Sequence, residues 1–450
     1  MNTTKASAHF ETASAPLVVP ALWPFKRVYY GWAIVGAALI ASFGSVPVFG
    51  PVLGVFILPM QEELGWSRAT ISLGFALGNF TGSATTFTIG SLLDRYGARI
   101  IVVATGIIIT AAMLGLAAIA EPWQFWLFFG LGRGAALAGV QAGTSVAIAN
   151  WFVRMRGRAL AIKGIGLRVG QAVYPLIIFA IMAASSWRHA YAALAGLALI
   201  LIVVPSALFL RRRPEDMGLL PDGATSETPL PGAGSRPAAH EESWTLAEAR
   251  QTRSLWLVMA FTVFAHLALG SINLHMVANF QDKGIPSGLA VSILSLFATS
   301  SALTVLPWGL LLERVHVRTC SMLMCALYIV ATVIILWADT YPLALAFGVV
   351  YGVAHGGWTV IQNLIFADYF GRRHTGAIRG FAAPFRLLGP LGPVATGFIR
   401  DVTGGYNLAF TVLAGIFILM LVLLALAPPP KRRPVHSAES DPGRPVGSRS

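Results

Sequence analysis

Gly90-Ser-Leu-Leu-Asp94-Arg95-Tyr-Gly97-Ala-Arg99 decides how the chain is read. The stretch is short and charged, and apolar runs at 67–93 and 99–119 flank it. Gly97 permits a tight turn where an L side chain would be strained. Asp94 places a single anion at the mouth of that turn, where it can meet a positive helix N-terminus. A degenerate second copy, Gly309-x-x-x-Glu313-Arg314 with Arg318 beyond it, lies 219 residues further on.

Outward from the motif, the chain is mostly apolar. It has 450 residues, 56% hydrophobic and 11% charged, with a mean hydropathy of +0.70. Soluble domains carry about 25% charged residues, so a soluble enzyme and a disordered chain are both excluded. A bilayer crossing needs about 20 mostly apolar residues. Twelve segments meet that need: 30–58, 67–93, 99–119, 122–150, 156–183, 188–210, 253–281, 286–312, 318–338, 341–369, 375–402 and 405–427. Leu17 to Phe25 is broken by Pro20 and Pro24 and does not resemble a cleaved signal peptide.

The net charge of +13 lies in short runs between the apolar segments, not on one basic face, so no nucleic-acid partner is expected. Lys and Arg concentrate at both ends and in the even-numbered loops: Arg95 and Arg99, Arg154 to Arg158, Arg211 to Arg213, Arg314 and Arg318, Arg372 and Arg373, Lys431 to Arg433. By the positive-inside rule both termini are cytoplasmic. The expected organisation is a cytoplasmic segment at 1–27, a six-helix bundle at 28–210, a linker at 211–252, a second six-helix bundle at 253–427 and a disordered tail at 428–450.

The halves repeat each other. Ala149-Asn-Trp-Phe152 matches Ala367-Asp-Tyr-Phe370, Arg168 matches Arg386 and Pro175 matches Pro393, all at an offset of 218 residues. A six-plus-six repeat is the mark of a secondary transporter that rocks one half against the other.

The motif at 90–99 resembles the G-x-x-x-D-R-x-G-x-R signature of the major facilitator superfamily. That resemblance implies an all-α fold of twelve transmembrane helices in two pseudo-symmetric six-helix bundles. It also implies a gate built from Gly90, Asp94, Arg95, Gly97, Arg99, Glu313, Arg314 and Arg318. Asp94 is expected to face the start of the eleventh span near Thr375, and Glu313 the start of the fifth near Gly157. Glu63-Leu-Gly65-Trp66-Ser67-Arg68, Trp151 to Ala159 and Leu274-His275 before Asp282-x-Gly284 are similar to bacterial relatives of the monocarboxylate transporters, a group that includes the oxalate–formate antiporter. Animal members of that group use an Asp and an Arg on the eighth span, whereas residues 286–312 here carry no charge.

Ionisable groups at bilayer depth are costly and point to function. At 1.5 Å per residue, Arg133 lies about 17 Å into the fourth span. Arg168 and Arg386 lie at similar depth in the fifth and eleventh. No Asp or Glu falls near the midplane of any span. A cavity that admits an anion relieves the cost of these cations, and a guanidinium matches a carboxylate. The substrate-binding candidates are Arg168, Arg386, Arg133, Gln171, His266, His355, Asn273 and His275. Arg133 fits either a structural or a proton-coupling role, and His266 and His355 are either proton carriers or hydrogen-bonded core residues. Lys163 is close enough to the cytoplasm to snorkel.

The expected function is secondary transport of a small, monocarboxylate-like organic anion by alternating access, coupled to a proton or a counter-anion as symporter or antiporter. The alternative is efflux of drugs or metabolites on the same fold. No nucleophile–base pair or metal motif marks an enzyme, and neither a cofactor nor a metal is expected. The chain is expected to work as a monomer in a bacterial inner membrane.

Overall fold

The computed structural model describes residues 29–153, 155–223, 244–371 and 374–430. Expectations placed on residues 1–27, Arg154, Arg372, Arg373, Lys431 to Arg433 and the tail beyond 430 lie outside these residues, as does that for the Asp94 side chain.

The described residues form two bundles of six spans. The first span is interrupted where the sequence clusters Gly and Pro: Gly31–Gly44 is followed by a 3-10 turn at Val46–Val48 and then by Gly50–Leu64. Pro47 and Pro51 remove two N–H donors, and Phe49 between them is extended at φ −92° and ψ 149°. The second and third spans form Arg68–Ala117, which turns at Gly97 with φ 80° and ψ 161°. That backbone conformation requires the glycine the motif supplies.

The fourth span joins Pro122–Gly134 to Ala142–Trp151 through a π-helical stretch at Ala135–Gln141. Arg156–Ala184 is the fifth, and Trp187–Ala198 leads through Leu199–Val203 to Val204–Phe209 as the sixth. The second half runs Arg253–Asp282, Ser287–Arg314, Val317–Trp337 and Tyr341–Phe370. Its eleventh span breaks close to Gly389, Pro390, Gly392 and Pro393 into Thr375–Ala382, Pro384–Leu388 and Leu391–Thr403, and the twelfth is Asn407–Ala425. Among the described residues, eight helices are individually long and apolar enough to cross a membrane. The first, fourth and eleventh spans are assembled from shorter pieces, whose freed backbone groups need partners inside the protein.

Leu303, Leu306, Trp337 and Val402 are 72%, 70%, 74% and 69% exposed. Apolar side chains this bare belong against acyl chains, which a lipid bilayer provides.

Because each half has an even number of spans, the described chain begins and ends on one face, here called the terminal face. The opposite, distal face is closed by a clasp between the halves. Arg68, at the start of the second span, is 0% exposed. It donates to both oxygens of Asp282 at the end of the seventh span, at 2.6 and 2.8 Å, and to the Tyr406 hydroxyl at 2.8 Å. Gln61 accepts from its Nε at 2.9 Å. Arg400 also donates to Asp282. Asp401, at the end of the eleventh span, accepts from the backbone N–H groups of Arg68 and Ala69 at 3.2 and 2.9 Å, so it caps the second span from the other half. A Cβ on Gly397 would meet the Arg68 and Ala69 backbone at 2.9–3.0 Å, so this close approach depends on a glycine.

Removing one partner of a buried pair costs about 3–5 kcal/mol, because the other charge is stranded. Asp282→Asn should therefore loosen the distal face. Spin labels at the exposed distal positions Glu62 and Asn407 would report it as a shift to longer distances by electron–electron double resonance. An unchanged distribution would mean that the clasp does not hold this face shut.

Candidate functional site

A cavity of about 620 Å³ lies between the halves, on the terminal side of the clasp. Six of the eight binding candidates line it: Arg168, Gln171, His266, Asn273, His355 and Arg386. The broken segment Pro384–Leu388 carries Arg386 into it from the second half. The fifth span carries Arg168 in from the first, where Gln171, three residues on, accepts from its guanidinium at 3.2 Å. Among the described residues lining the cavity there is no Asp or Glu.

The histidines are held by their surroundings. His266 Nδ1 lies 2.7 Å from the Thr262 carbonyl, so it carries the proton and leaves Nε2 as an acceptor. Its ring meets Trp358 edge-on at 5.3 Å. His355 is 3.4 Å from the Tyr328 hydroxyl and packs against Phe297 and Tyr351.

Arg133 and His275 lie elsewhere. Arg133 sits behind the wall, 4.2 Å over the Phe49 ring and 5.4 Å from that of Phe75. It donates to the Val48 carbonyl at 3.3 Å and to Asn79 Oδ1 at 3.1 Å. The break in the first span frees that carbonyl, and a guanidinium stacked on rings is at home there. His275 belongs to the distal clasp. Its Nδ1 is 2.9 Å from the Tyr406 hydroxyl, and its Nε2 faces the Pro393 carbonyl and Ser72. Lys163 does not snorkel: it is buried, and its Nζ donates to the Gln141 carbonyl at 2.7 Å and to the Ser145 hydroxyl at 2.8 Å. The π-helical stretch ending at Gln141 loosens the local backbone ladder and makes that carbonyl reachable.

Arg95, Arg99, Glu313 and Arg314 are exposed. Arg318 caps its own half, donating to the Leu424 and Ala425 carbonyls at the end of the twelfth span. The N–H groups of Val153 and Met155, just before the fifth span, donate to Asp222. In this conformation, therefore, a carboxylate from the segment after the sixth span sits where the repeat points Glu313.

Sequence reasoning missed Asn79, Ser83, Trp358 and Thr359 on the cavity wall, and the whole of the clasp. Asn79 was findable as the lone amide in the second span. Nothing in one dimension pairs Asp282 and Asp401 with Arg68.

The family model described as Major Facilitator Superfamily matches residues 34–280 and 267–449. The chain belongs to that superfamily and is a membrane transporter. Bovine monocarboxylate transporter 13 is 27% identical over 403 residues, covering 87% of each chain. The hexuronate transporter of Bacillus subtilis is 24% identical over 386 residues, 79% of this chain and 83% of that one. The crystal structure of the nucleoside transporter NupG matches with a TM-score of 0.70 at 14% identity, covering 88% of this chain and 98% of its own, a likeness of fold.

Replacing Arg133 with Leu strands the Val48 carbonyl and the Asn79 amide oxygen, at about 1–3 kcal/mol for each buried group left unpaired. Its thermal unfolding midpoint in detergent should fall clearly below wild type. Lys163→Met, which removes a buried charge without stranding a carboxylate, should keep or raise it. The reverse order would mean that the anchoring roles are misassigned.

Proposed function

We propose that the protein carries a small organic anion across the membrane by alternating access, driven by a proton or a counter-anion. One observation carries this: two arginines, one from each half, line a single cavity whose described wall offers no carboxylate to either. An unpaired cation in a confined cavity is expensive. An anionic substrate pairs both and draws the halves together. The names of two relatives, a monocarboxylate transporter and a hexuronate transporter, fit that chemistry.

The Lys and Arg bias assigns the terminal face to the cytoplasm. On that assignment the closed clasp is external and the conformation described faces inward. When the terminal face closes, Asp94 and Glu313 meet the starts of the eleventh and fifth spans, and the clasp opens.

Ligand binding to the folded state raises its thermal stability by mass action. Purified protein screened against organic acids, cations and neutral drugs should be stabilised by an acid, and Arg168→Ala and Arg386→Ala should each abolish that effect while still reaching the membrane. Stabilisation by neutral or cationic compounds alone would favour the efflux reading and leave the arginines structural.

A further inference from the structure

Two residues that do not touch the cavity hold its amides in place. Arg133, behind the wall, donates to Asn79 Oδ1 at 3.1 Å. Tyr351, fully buried on the tenth span, donates its hydroxyl to Asn273 Oδ1 at 2.9 Å. Both asparagines line the cavity.

Arg133 and Tyr351 occupy equivalent positions. Phe129-Gly130-x-x-Arg133-Gly134-x-x-x-Ala138-Gly139 aligns with Phe347-Gly348-x-x-Tyr351-Gly352-x-x-x-Gly356-Gly357 at the same offset of 218 residues that relates Arg168 to Arg386. The glycines do the same work twice: a Cβ on Gly134 would press on Thr81 of the second span at 3.1 Å, and one on Gly352 would meet Ser300 of the eighth at 2.6 Å. Each half thus sets a donor beside a close helix crossing. Aromatic rings immobilise both. Phe49 and Phe75 flank Arg133, and Phe347 stacks on Tyr351 at 5.2 Å with Phe297 at 5.0 Å.

A fixed donor on an amide oxygen sets which end of the amide faces it and leaves the N–H groups for other partners. Asn79 spends one N–H on the Phe75 carbonyl at 2.8 Å, which leaves the second. Gln171 is held alike, its oxygen engaged by Arg168. Around the two guanidinium groups, three amides therefore present hydrogen-bond donors.

We propose, resting on the organic-anion reading above, that Arg133 and Tyr351 are paired positioning residues. They lock Asn79 and Asn273 with their N–H groups toward the cavity, and so select a substrate rich in oxygen acceptors. Arg133 acts through Asn79 and does not touch the substrate.

The test is a double-mutant cycle on binding, with L-lactate, succinate and D-glucuronate as acidic probes and D-glucose as the neutral control. Tyr351→Phe keeps the ring and removes only the donor. It should weaken the acid that binds wild type by about five- to tenfold, the worth of one hydrogen bond. In an Asn273→Ala background the same change should have little effect, because the amide it orients is gone. A purely structural tyrosine would give the same loss in both backgrounds. That additivity, or full affinity in Tyr351→Phe, would overturn the proposal while leaving the organic-anion reading intact. If no acid binds the wild-type protein, the organic-anion reading falls and this one falls with it.

Discussion

A guanidinium removed from water must be given acceptors, and the protein answers that requirement differently at each depth. At the distal end, Arg68 receives a full carboxylate from Asp282, together with Gln61 and Tyr406. Inside the first half, Arg133 receives one freed carbonyl, one amide oxygen and two ring faces. In the cavity, Arg168 has the Gln171 amide oxygen, and the wall around it and Arg386 holds no acid among the described residues. The supply of acceptors falls from gate to anchor to cavity. Pairing is complete at the clasp and, on the organic-anion reading, withheld where the substrate must be held. A carboxylate placed beside Arg168 would remove the reason for an anion to enter.

The breaks in the helices serve the same requirement. Interrupting a span at membrane depth exposes backbone groups, which is tolerated only where the protein or a cavity satisfies them. The break near Phe49 supplies Arg133 with the Val48 carbonyl. The irregular turn at the end of Ala135–Gln141 gives Lys163 an acceptor. The break at Pro384–Leu388 swings Arg386 into the cavity. The second and eleventh spans show what the helix ends contribute. They run antiparallel, and the acid at the C-terminal end of the eleventh caps the N-terminal end of the second. Asp94 stands at the C-terminal end of the second span, as Asp401 does on the eleventh. The sequence thus sets one acid at the terminal end of the second span and another at the distal end of the eleventh. That geometry suits a carrier with one side open at a time.

The fold was legible because hydropathy and loop charge are one-dimensional signals. The twelve apolar segments, the Gly–Pro clusters and the turn at Gly97 all survive in three dimensions nearly where the sequence puts them. The cavity was partly legible for the same reason: Arg168 and Arg386 stand out as charges in apolar runs, and depth follows from counting residues. Azimuth around the helix axis does not follow from counting. Arg133 is as deep as Arg168 but points toward Phe49, and His275 shares the seventh span with His266 yet belongs to the clasp. Lys163 was misjudged on reach alone. A long side chain near a span end can snorkel, but this one lies on a face packed against the fourth span, where a carbonyl and a hydroxyl are nearer than water. The pairing of Arg133 with Tyr351 was hidden because the repeat had replaced a cation by a phenol. The two residues share a task, donation to an amide oxygen, and not a charge.

The charge inventory of the cavity also constrains how transport can be driven. A carrier that couples protons through a carboxylate needs one in or beside its binding site, and the described wall has none. A proton that accompanies the substrate must then ride on the substrate itself or on a histidine. The two histidines are not equivalent carriers. His266 has Nδ1 committed to a backbone carbonyl and lines the cavity, so Nε2 is the nitrogen left to take a second proton. His355 has Nδ1 3.4 Å from the Tyr328 hydroxyl and its ring packed against Phe297 and Tyr351. If the anion is instead exchanged for another anion, neither histidine need change state. The two unpaired arginines then supply the coupling, because an empty cavity closed around two cations is the state the protein can least afford.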